Sequence, residues 1–361
     1  MALLPEPESF KRIADGSARG VGAGLARAVL RAASVPYGCA VAARNAAYDA
    51  GILASHAAPI PVVSVGNLTL GGTGKTPLVA WVVRRLASRG HRPAVVSRGY
   101  AARPGEVSDE AAELAVVVPG VMHVADRDRV AGARAAAAAA ATVAVLDDGF
   151  QHRRLRRDFD IVAIDATDPF GCGHLFPRGL LREPLHGLRR AAAVVLTRAT
   201  SVDADRRAAI RAALADAVGG GPLPAWMETE HRPVGLRTAV GGTQPLALLA
   251  GRRVAAFAGI GNPAAFRGTL AALGADVAAF TSFPDHHAYP PADLDRLAMR
   301  MPAGVDLAVT TLKDLVKIDR PLLGDVPVVA LEIALAPLMG ADAVAAAIDA
   351  ATSSPTGAQI P

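Results

Sequence analysis

"VGNLTLGGTGKTP", residues 65–77, follows the apolar run "PIPVVS" and precedes "LVAWVVRRLASRG". The order is a short β-branched strand, a glycine-rich loop and an amphipathic helix. In that arrangement successive backbone N–H groups and the positive end of the helix face a phosphate. The common form of such a loop is G-x-x-x-x-G-K-[ST]. Gly74-Lys75-Thr76 closes it here, but Thr69 stands where the first glycine belongs. Gly71, Gly72 and Gly74 still leave a cradle that phosphate oxygens can approach closely. Gly71, Gly72, Thr73, Gly74, Lys75 and Thr76 are therefore expected to bind the phosphates of a nucleotide. Lys75 would reach the β- and γ-phosphates, and Thr76 would offer its hydroxyl to Mg²⁺. The bland alternative is a glycine-rich turn with an exposed lysine.

Outward from the loop the pattern repeats. Strands are expected in 92–100, 113–118, 121–125, 142–148, 158–165 and 191–199, with helices at 76–90 and 129–141. Continuous apolar runs alternating with helices predict a parallel sheet covered on both faces. The fold class is α/β, a P-loop NTPase-like parallel sheet domain followed by a smaller α/β domain. "VGGGPLPAWMETEHRPVG", residues 218–235, is rich in glycine and proline and reads as a linker. The expected division is 1–57 as a basic, apolar helical segment and 58–225 as the P-loop nucleotide-binding domain. A hinge at 226–235, a second α/β domain at 236–345 and a flexible tail at 346–361 complete it.

"VAVLDD", residues 143–148, delivers two carboxylates to the C-terminal edge of the sheet, where ligands of α/β proteins sit. Asp148 is the expected Mg²⁺ ligand and Asp147 a nucleotide contact. Alternatively, the pair caps a turn before Gly149. Partition and cytoskeletal ATPases place a lysine before the two loop glycines, where this chain has Leu70. The N-K-x-D signature of guanine recognition does not occur.

The formal charge of +5 permits an anionic partner, but no like-charge block with interleaved aromatics marks a nucleic-acid surface. Cys39 and Cys172 form no C-x-x-C pattern, which fits a reducing compartment. No obligate protein partner is evident. Between Lys11 and Tyr48 there are six basic residues and one acid. The longest charge-free run there, 32–43, contains Pro36 and falls short of the roughly 20 residues of a spanning helix. Such a segment either packs on the protein's own body or lies in a membrane interface.

"SVGNLTLGGTGKTP", "VVSRGY", "SDE", "LDDGFQHRRLRRDFDIVAID", "GLLREP", "AGIGNP", "FPDHHAY" and "TTLKD" occur in order from 64 to 314. Together they resemble the tetraacyldisaccharide 4′-kinases, the lipid A 4′-kinases of Gram-negative bacteria. The resemblance implies transfer of the ATP γ-phosphate to the 4′-hydroxyl of an anionic acylated disaccharide lipid, giving lipid IVA. It implies a peripheral or monotopic enzyme at the cytoplasmic face of the inner membrane, with that membrane surface as a partner. It makes Asp109 the base, held by His286 or His287, with domain closure assembling the pair. Asp109 alone would read as a helix N-cap. Glu183 becomes a further Mg²⁺ contact and Arg182 a phosphate contact, though alone they read as a surface ion pair. Gln151 and His152 would line the site, and some arginines of "HRRLRRD" would bind the substrate's 1-phosphate. The alternative function is a membrane-associated P-loop ATPase switch with no small-molecule acceptor.

Overall fold

The computed structural model describes residues 7–99, 108–220 and 224–353. The chain divides into two compact units. The first holds Met1–Arg98, Gly120–Glu230 and Pro337–Pro361, and the second holds Gly99–Pro119 and His231–Ala336. The expected tail is helical as far as Ser353, and its remainder lies outside the described residues.

The chain opens with helices α1 (Pro7–Ala14) and α2 (Val21–Asp49). Strand β1 (Val62–Asn67), helix α3 (Lys75–Ser88) and strand β2 (Pro93–Ser97) follow. Helix α4 (Asp109–Val117) belongs to the second unit. The chain then returns to the first through β3 (Met122–Ala125), α5 (Arg129–Ala138), β4 (Val143–Asp147), β5 (Phe159–Asp165), β6 (Ala193–Thr197) and α6 (Ala204–Ala217).

In the first unit β6, β5, β1, β4, β2 and β3 pair in that order, all parallel. β1, β4, β5 and β6 are buried along their whole lengths, as a sheet covered on both faces requires. One face packs Ala94, Val96, Ala133, Ala136, Leu146 and Leu155, the other Leu68, Val162, Leu188, Val194, Ile210 and Leu214. β1 lies between β4 and β5, so the chain reverses its direction of travel across the sheet at β1. The C-terminal ends of β1 and β4 open onto that switch point, where α/β ligands bind.

Two expectations fail here. Residues 113–118 are not a strand but most of α4, because Ser108 caps a helix, its hydroxyl accepting from the Ala111 N–H at 3.4 Å. Asp109 and Glu110 in the first turn complement the helix dipole, and Ala111 and Leu114 supply a buried stripe. The expected hinge is a strand, β7 (Ala225–Thr238), with Trp226, Met227, Glu228 and Thr229 buried. Its first residues pair with β6, and the ladder outweighs the turn-rich composition beside it.

The second unit continues with β8 (Thr243–Gln244), β9 (Arg253–Ala258), α7 (Pro263–Ala272), β10 (Asp276–Ser282) and α8 (Pro291–Met299). Then come β11 (Leu307–Thr311), the single turn α9 (Leu312–Leu315), β12 (Leu322–Leu323) and β13 (Val326–Met339). β10, β9, β11 and β13 are parallel neighbours in that order. Leu249, Phe266, Leu270 and Val309 pack one face, and Phe257, Tyr289, Leu294, Leu312 and Leu315 the other.

Helix α10 (Ala341–Ser353) belongs to the first unit, not the second. Asp349 accepts from Arg85 Nε at 3.1 Å and from Arg89 Nε at 2.9 Å, both on or beside α3. Burial pushes the Asp349 carboxyl up, but the two guanidinium groups outweigh it and hold the carboxyl below its usual value. This contribution is fully present above the unfolded value and is lost as pH falls through the lower folded value. Asp349→Asn should therefore cost about 1–2 kcal/mol at pH 7, seen as a fall of a few degrees in melting temperature. The gap from wild type should close as melting curves are taken below the usual carboxylate range.

Candidate active site

The loop after β1 is fastened at both sides. Leu70 N–H donates to Leu180 O and Arg182 N–H to Leu68 O, each at 2.7 Å. Thr197 Oγ1 donates to Thr73 O at 2.8 Å, and Arg198 reaches Gly72 O at 3.1 Å. Gly71 (φ +108°) and Gly74 (φ +78°) take backbone conformations that only glycine holds without strain. A Cβ on Gly71 or Gly72 would meet nothing within 4 Å, so the protein's own packing does not fill the space beside them. Thr73 is buried with its hydroxyl unpartnered among the described residues. An open cradle and an orphaned hydroxyl are what a polyanionic ligand would complete.

Lys75 begins α3, and its Nζ lies 3.1 Å from both Asn67 Oδ1 and Asp148 Oδ1. Thr76 is half-buried in the first turn of the same helix. Asp148 follows β4 with φ +57°, a left-handed conformation that a non-glycine residue adopts at a cost. Its carboxylate also accepts from Arg182 Nη1 at 2.7 and 2.9 Å. Burial raises the Asp148 carboxyl, yet Lys75 and Arg182 prevail and keep it below the ordinary range, hence ionised at neutral pH. Asp147, the last residue of β4, is buried beside Val65 of β1. Gln151 donates to Asn67 O at 2.9 Å and to Glu183 Oε1 at 3.0 Å, bridging the two sides of the loop.

Asp109 and His286 meet within the second unit, His286 Nδ1 standing 3.4 Å from Asp109 Oδ2. Their pairing needs no domain closure, contrary to the expectation, because α4 is part of the same unit as the histidine loop. His286 has φ +62°, and its N–H is held by Asp285 Oδ1 at 3.0 Å. Lys313 Nζ lies 3.2 Å from His286 Nε2. An ammonium can only donate, so Nε2 accepts and Nδ1 carries the proton toward Asp109.

The model of the tetraacyldisaccharide-1-P 4′-kinases (LpxK) matches residues 26–353. The chain belongs to that family. It is 44% identical over 350 residues to a tetraacyldisaccharide 4′-kinase from Anaeromyxobacter dehalogenans (strain 2CP-1), covering 91% of each chain. It is 43% identical over 333 residues to one from Geobacter metallireducens, covering 86% of this chain and 95% of the relative. The crystal structure of "apo" form LpxK from Aquifex aeolicus in complex with ATP superposes with a TM-score of 0.71 at 32% identity. That match covers 90% of this chain and 99% of that one.

The structure places three further groups of expected site residues. Glu183 has 0% exposure, and its carboxylate is taken by Arg190 at 2.8 Å, Gln151 at 3.0 Å and Asn45 at 3.3 Å. Its described partners are all protein donors, so contact with a metal ion would require one of them to give way. His287 does not touch Asp109. Its Nε2 lies 2.6 Å from Asp293 Oδ2 and its ring stacks on Phe283 with centroids 4.5 Å apart. Burial, helped by Lys317, holds its pKa below the ordinary value. The arginines of "HRRLRRD" are largely spoken for: Arg153 binds Asn45 O and Asp49, Arg154 binds Asp128, and Arg157 binds Asp160. Arg156 alone among them is exposed with no side-chain partner described, while Arg153 and Arg157 are only 12% and 8% exposed in their ion pairs. His152 is kept neutral by burial and by Arg129.

Sequence reasoning missed Asn67 and Arg129. Asn67 ends β1 and orients Lys75, and a polar residue closing an apolar strand was the available signal. Arg129 is buried in the neighbourhood of Asp147 and Asp148, whose charges oppose the lowering of its pKa by burial. Nothing in its local sequence marks that position. Removing one member of a buried ion pair costs about 3–5 kcal/mol, so Glu183→Ala should lower the melting temperature sharply. Glu183→Gln, which keeps the shape and an acceptor, should lose much less in the same thermal scan.

Proposed function

We propose that this chain transfers the γ-phosphate of ATP to the 4′-hydroxyl of a tetraacylated glucosamine disaccharide 1-phosphate, forming lipid IVA. The match to the kinase family over residues 26–353 carries this reading. The glycine cradle with Lys75 at the head of α3 offers the nucleotide its place, and the Asp109–His286 pair offers the acceptor a base. Gly71, Gly72, Thr73, Gly74 and Thr76 line the phosphates, with Asp147, Gln151 and Arg182 beside them. An arriving triphosphate competes with Asp148 for Lys75, freeing a carboxylate that already favours its ionised form. Thr76 and Asp148 would then hold Mg²⁺. Among the described residues no three His, Cys, Asp or Glu side chains gather into a ready cage. Such a site suits an ion that takes most of its ligands from phosphate and water. When bound, Mg²⁺ neutralises charge on the phosphate oxygens.

Asp109 orients the 4′-hydroxyl and takes its proton. The 4′-oxygen bonds to the γ-phosphorus while the bond from that phosphorus to the β–γ bridging oxygen breaks. ADP leaves with the electron pair. His286, donating from Nδ1, holds the base in place.

The substrate is a lipid, which bears on α2. Ser34, Tyr37 and Asn45 anchor that helix to Leu175, Arg182 and Glu183. These contacts carry the helix through Pro36, where the apolar run of the sequence is interrupted. Val21, Leu25 and Val29, four residues apart, are exposed by 60% or more, with Arg19 and Arg31 exposed nearby. No helix among the described residues is long and apolar enough to cross a membrane. The apolar row and its arginines suit the surface of a bilayer rich in anionic lipid, the cytoplasmic face of the inner membrane in this reading.

Transfer of labelled γ-phosphate to tetraacyldisaccharide 1-phosphate in detergent micelles tests the activity. Label should reach the lipid only with Mg²⁺ present, and Lys75→Ala should abolish it. ATP hydrolysis with no lipid labelling would overturn the reading. Replacing Val21, Leu25 and Val29 by serine should weaken binding to anionic vesicles by at least about tenfold, with activity on micellar substrate retained. Unchanged sedimentation with vesicles would remove α2 from the membrane.

A further inference from the structure

Three stretches of the second unit, "AGIGNP", "FPDHHAY" and "TTLKD", hold more than His286, His287 and Lys313. They converge on Asp314, which has 0% exposure. Its Oδ2 accepts from the Gly259 N–H at 3.0 Å and from Thr311 Oγ1 at 2.7 Å. A Cβ on Gly259 would come within 3.2 Å of Asp314 Oδ1 and 3.1 Å of Pro284 O, so this close approach requires glycine. The other oxygen, Oδ1, accepts from Lys317 Nζ at 3.0 Å. Lys317 is itself only 9% exposed, and its ammonium lies 5.2 Å from the centroid of the Tyr289 ring. From that seat Nζ stands 3.7 Å from Asp109 Oδ2.

A buried carboxylate that bonds backbone, hydroxyl and ammonium together is a rigid mount. It fixes a cation with few alternative positions, since the Tyr289 ring face and Asp314 hold it from two sides. Lys317 and His286 approach the same oxygen of Asp109. Among the described residues no hydrogen bond or ion pair reaches the other oxygen, Oδ1. A ring nitrogen at 3.4 Å and an ammonium at 3.7 Å both pull on that one oxygen, which biases the plane of the carboxylate. Geometry of this kind decides whether a base meets a hydroxyl in line for transfer.

We propose that Lys317, mounted on Asp314, is a positioning residue that orients the Asp109 carboxylate for removal of the acceptor proton. This rests on Asp109 being the base. Lys317 touches neither substrate nor nucleotide in this scheme. It acts through Asp109, and its loss costs turnover rather than affinity for ATP.

The test compares Lys317→Met, the double variant Asp314→Asn/Lys317→Met, Asp109→Asn, and Lys317→Met combined with Asp109→Asn. Each is assayed as the full chain for kcat, for KM toward ATP and for melting temperature. Lys317→Met alone strands the Asp314 charge and so risks the fold. The double variant removes both charges, while the amide oxygen of the substituted side chain still accepts from Gly259 and Thr311. Lys317→Met and the folded double variant should each lower kcat by about 10²-fold, with KM for ATP unchanged. Lys317→Met should add nothing to the loss caused by Asp109→Asn, because the two act as one device. Normal kcat in the folded double variant, with Asp109→Asn inactive, overturns the role of Lys317 and leaves the base intact. A loss that multiplies with that of Asp109→Asn also overturns it, since Lys317 would then act elsewhere. Failure of both lysine variants to fold assigns the pair to stability alone and ends the proposal. An active Asp109→Asn enzyme would sink the base itself, a distinct result.

Discussion

Asp148 stands between two cations, Lys75 at 3.1 Å and Arg182 at 2.7 Å, and much of the first unit follows from that pairing. A lysine at the start of a helix adds its positive charge to the positive end of the helix dipole, an arrangement that needs an anion nearby. Asp148, at the end of β4, supplies one. Arg182 reaches the same carboxylate only because the segment 180–182 is bonded along the loop through Leu68 and Leu70. The left-handed backbone at Asp148 is the local cost of aiming that carboxylate into the loop.

Glu183 extends the arrangement in a direction the motif does not announce. Beside Arg182 in sequence, it is sealed from water and binds Gln151, Arg190 and Asn45. Asn45 belongs to α2, so the helix that displays the apolar row at its N-terminal end is tied at its other end to the shell of the phosphate loop. A buried carboxylate needs partners on both oxygens, and three donors from three segments supply them. Arg190 also lies over the Phe150 ring, 4.6 Å from its centroid, which fixes the guanidinium from a second side.

The second unit uses the same physics with the charges rearranged. Asp314 is the buried anchor, Lys317 the cation mounted on it, and Asp109 the outer carboxylate. His286 and His287, adjacent in sequence, part company because the left-handed residue His286 sends successive side chains to different surroundings. One meets Asp109, and the other enters an aromatic cluster with Phe283 and Tyr289. Leu312, standing before Lys313 and Asp314, is buried in that same core and packs as an apolar residue should.

The sequence alone determined the phosphate loop, the parallel sheet around it and the carboxylates at the end of β4. These are local patterns: glycines where the backbone turns, unbroken β-branched runs, an acid pair where a strand stops. It also contained the family resemblance, because long strings such as "LDDGFQH" keep their order along the chain. Only the tertiary structure decided that Glu183 is sealed, that His286 rather than His287 meets Asp109, and that Lys317 stands beside them. Such questions turn on which distant segments share a volume, and burial and satisfied hydrogen bonds settle them. Residues 113–118 and 225–238 show the same limit in the backbone. A β-branched run became helix because a cap and a buried stripe favoured it, and a stretch with the composition of a linker became strand because β6 offered it a partner.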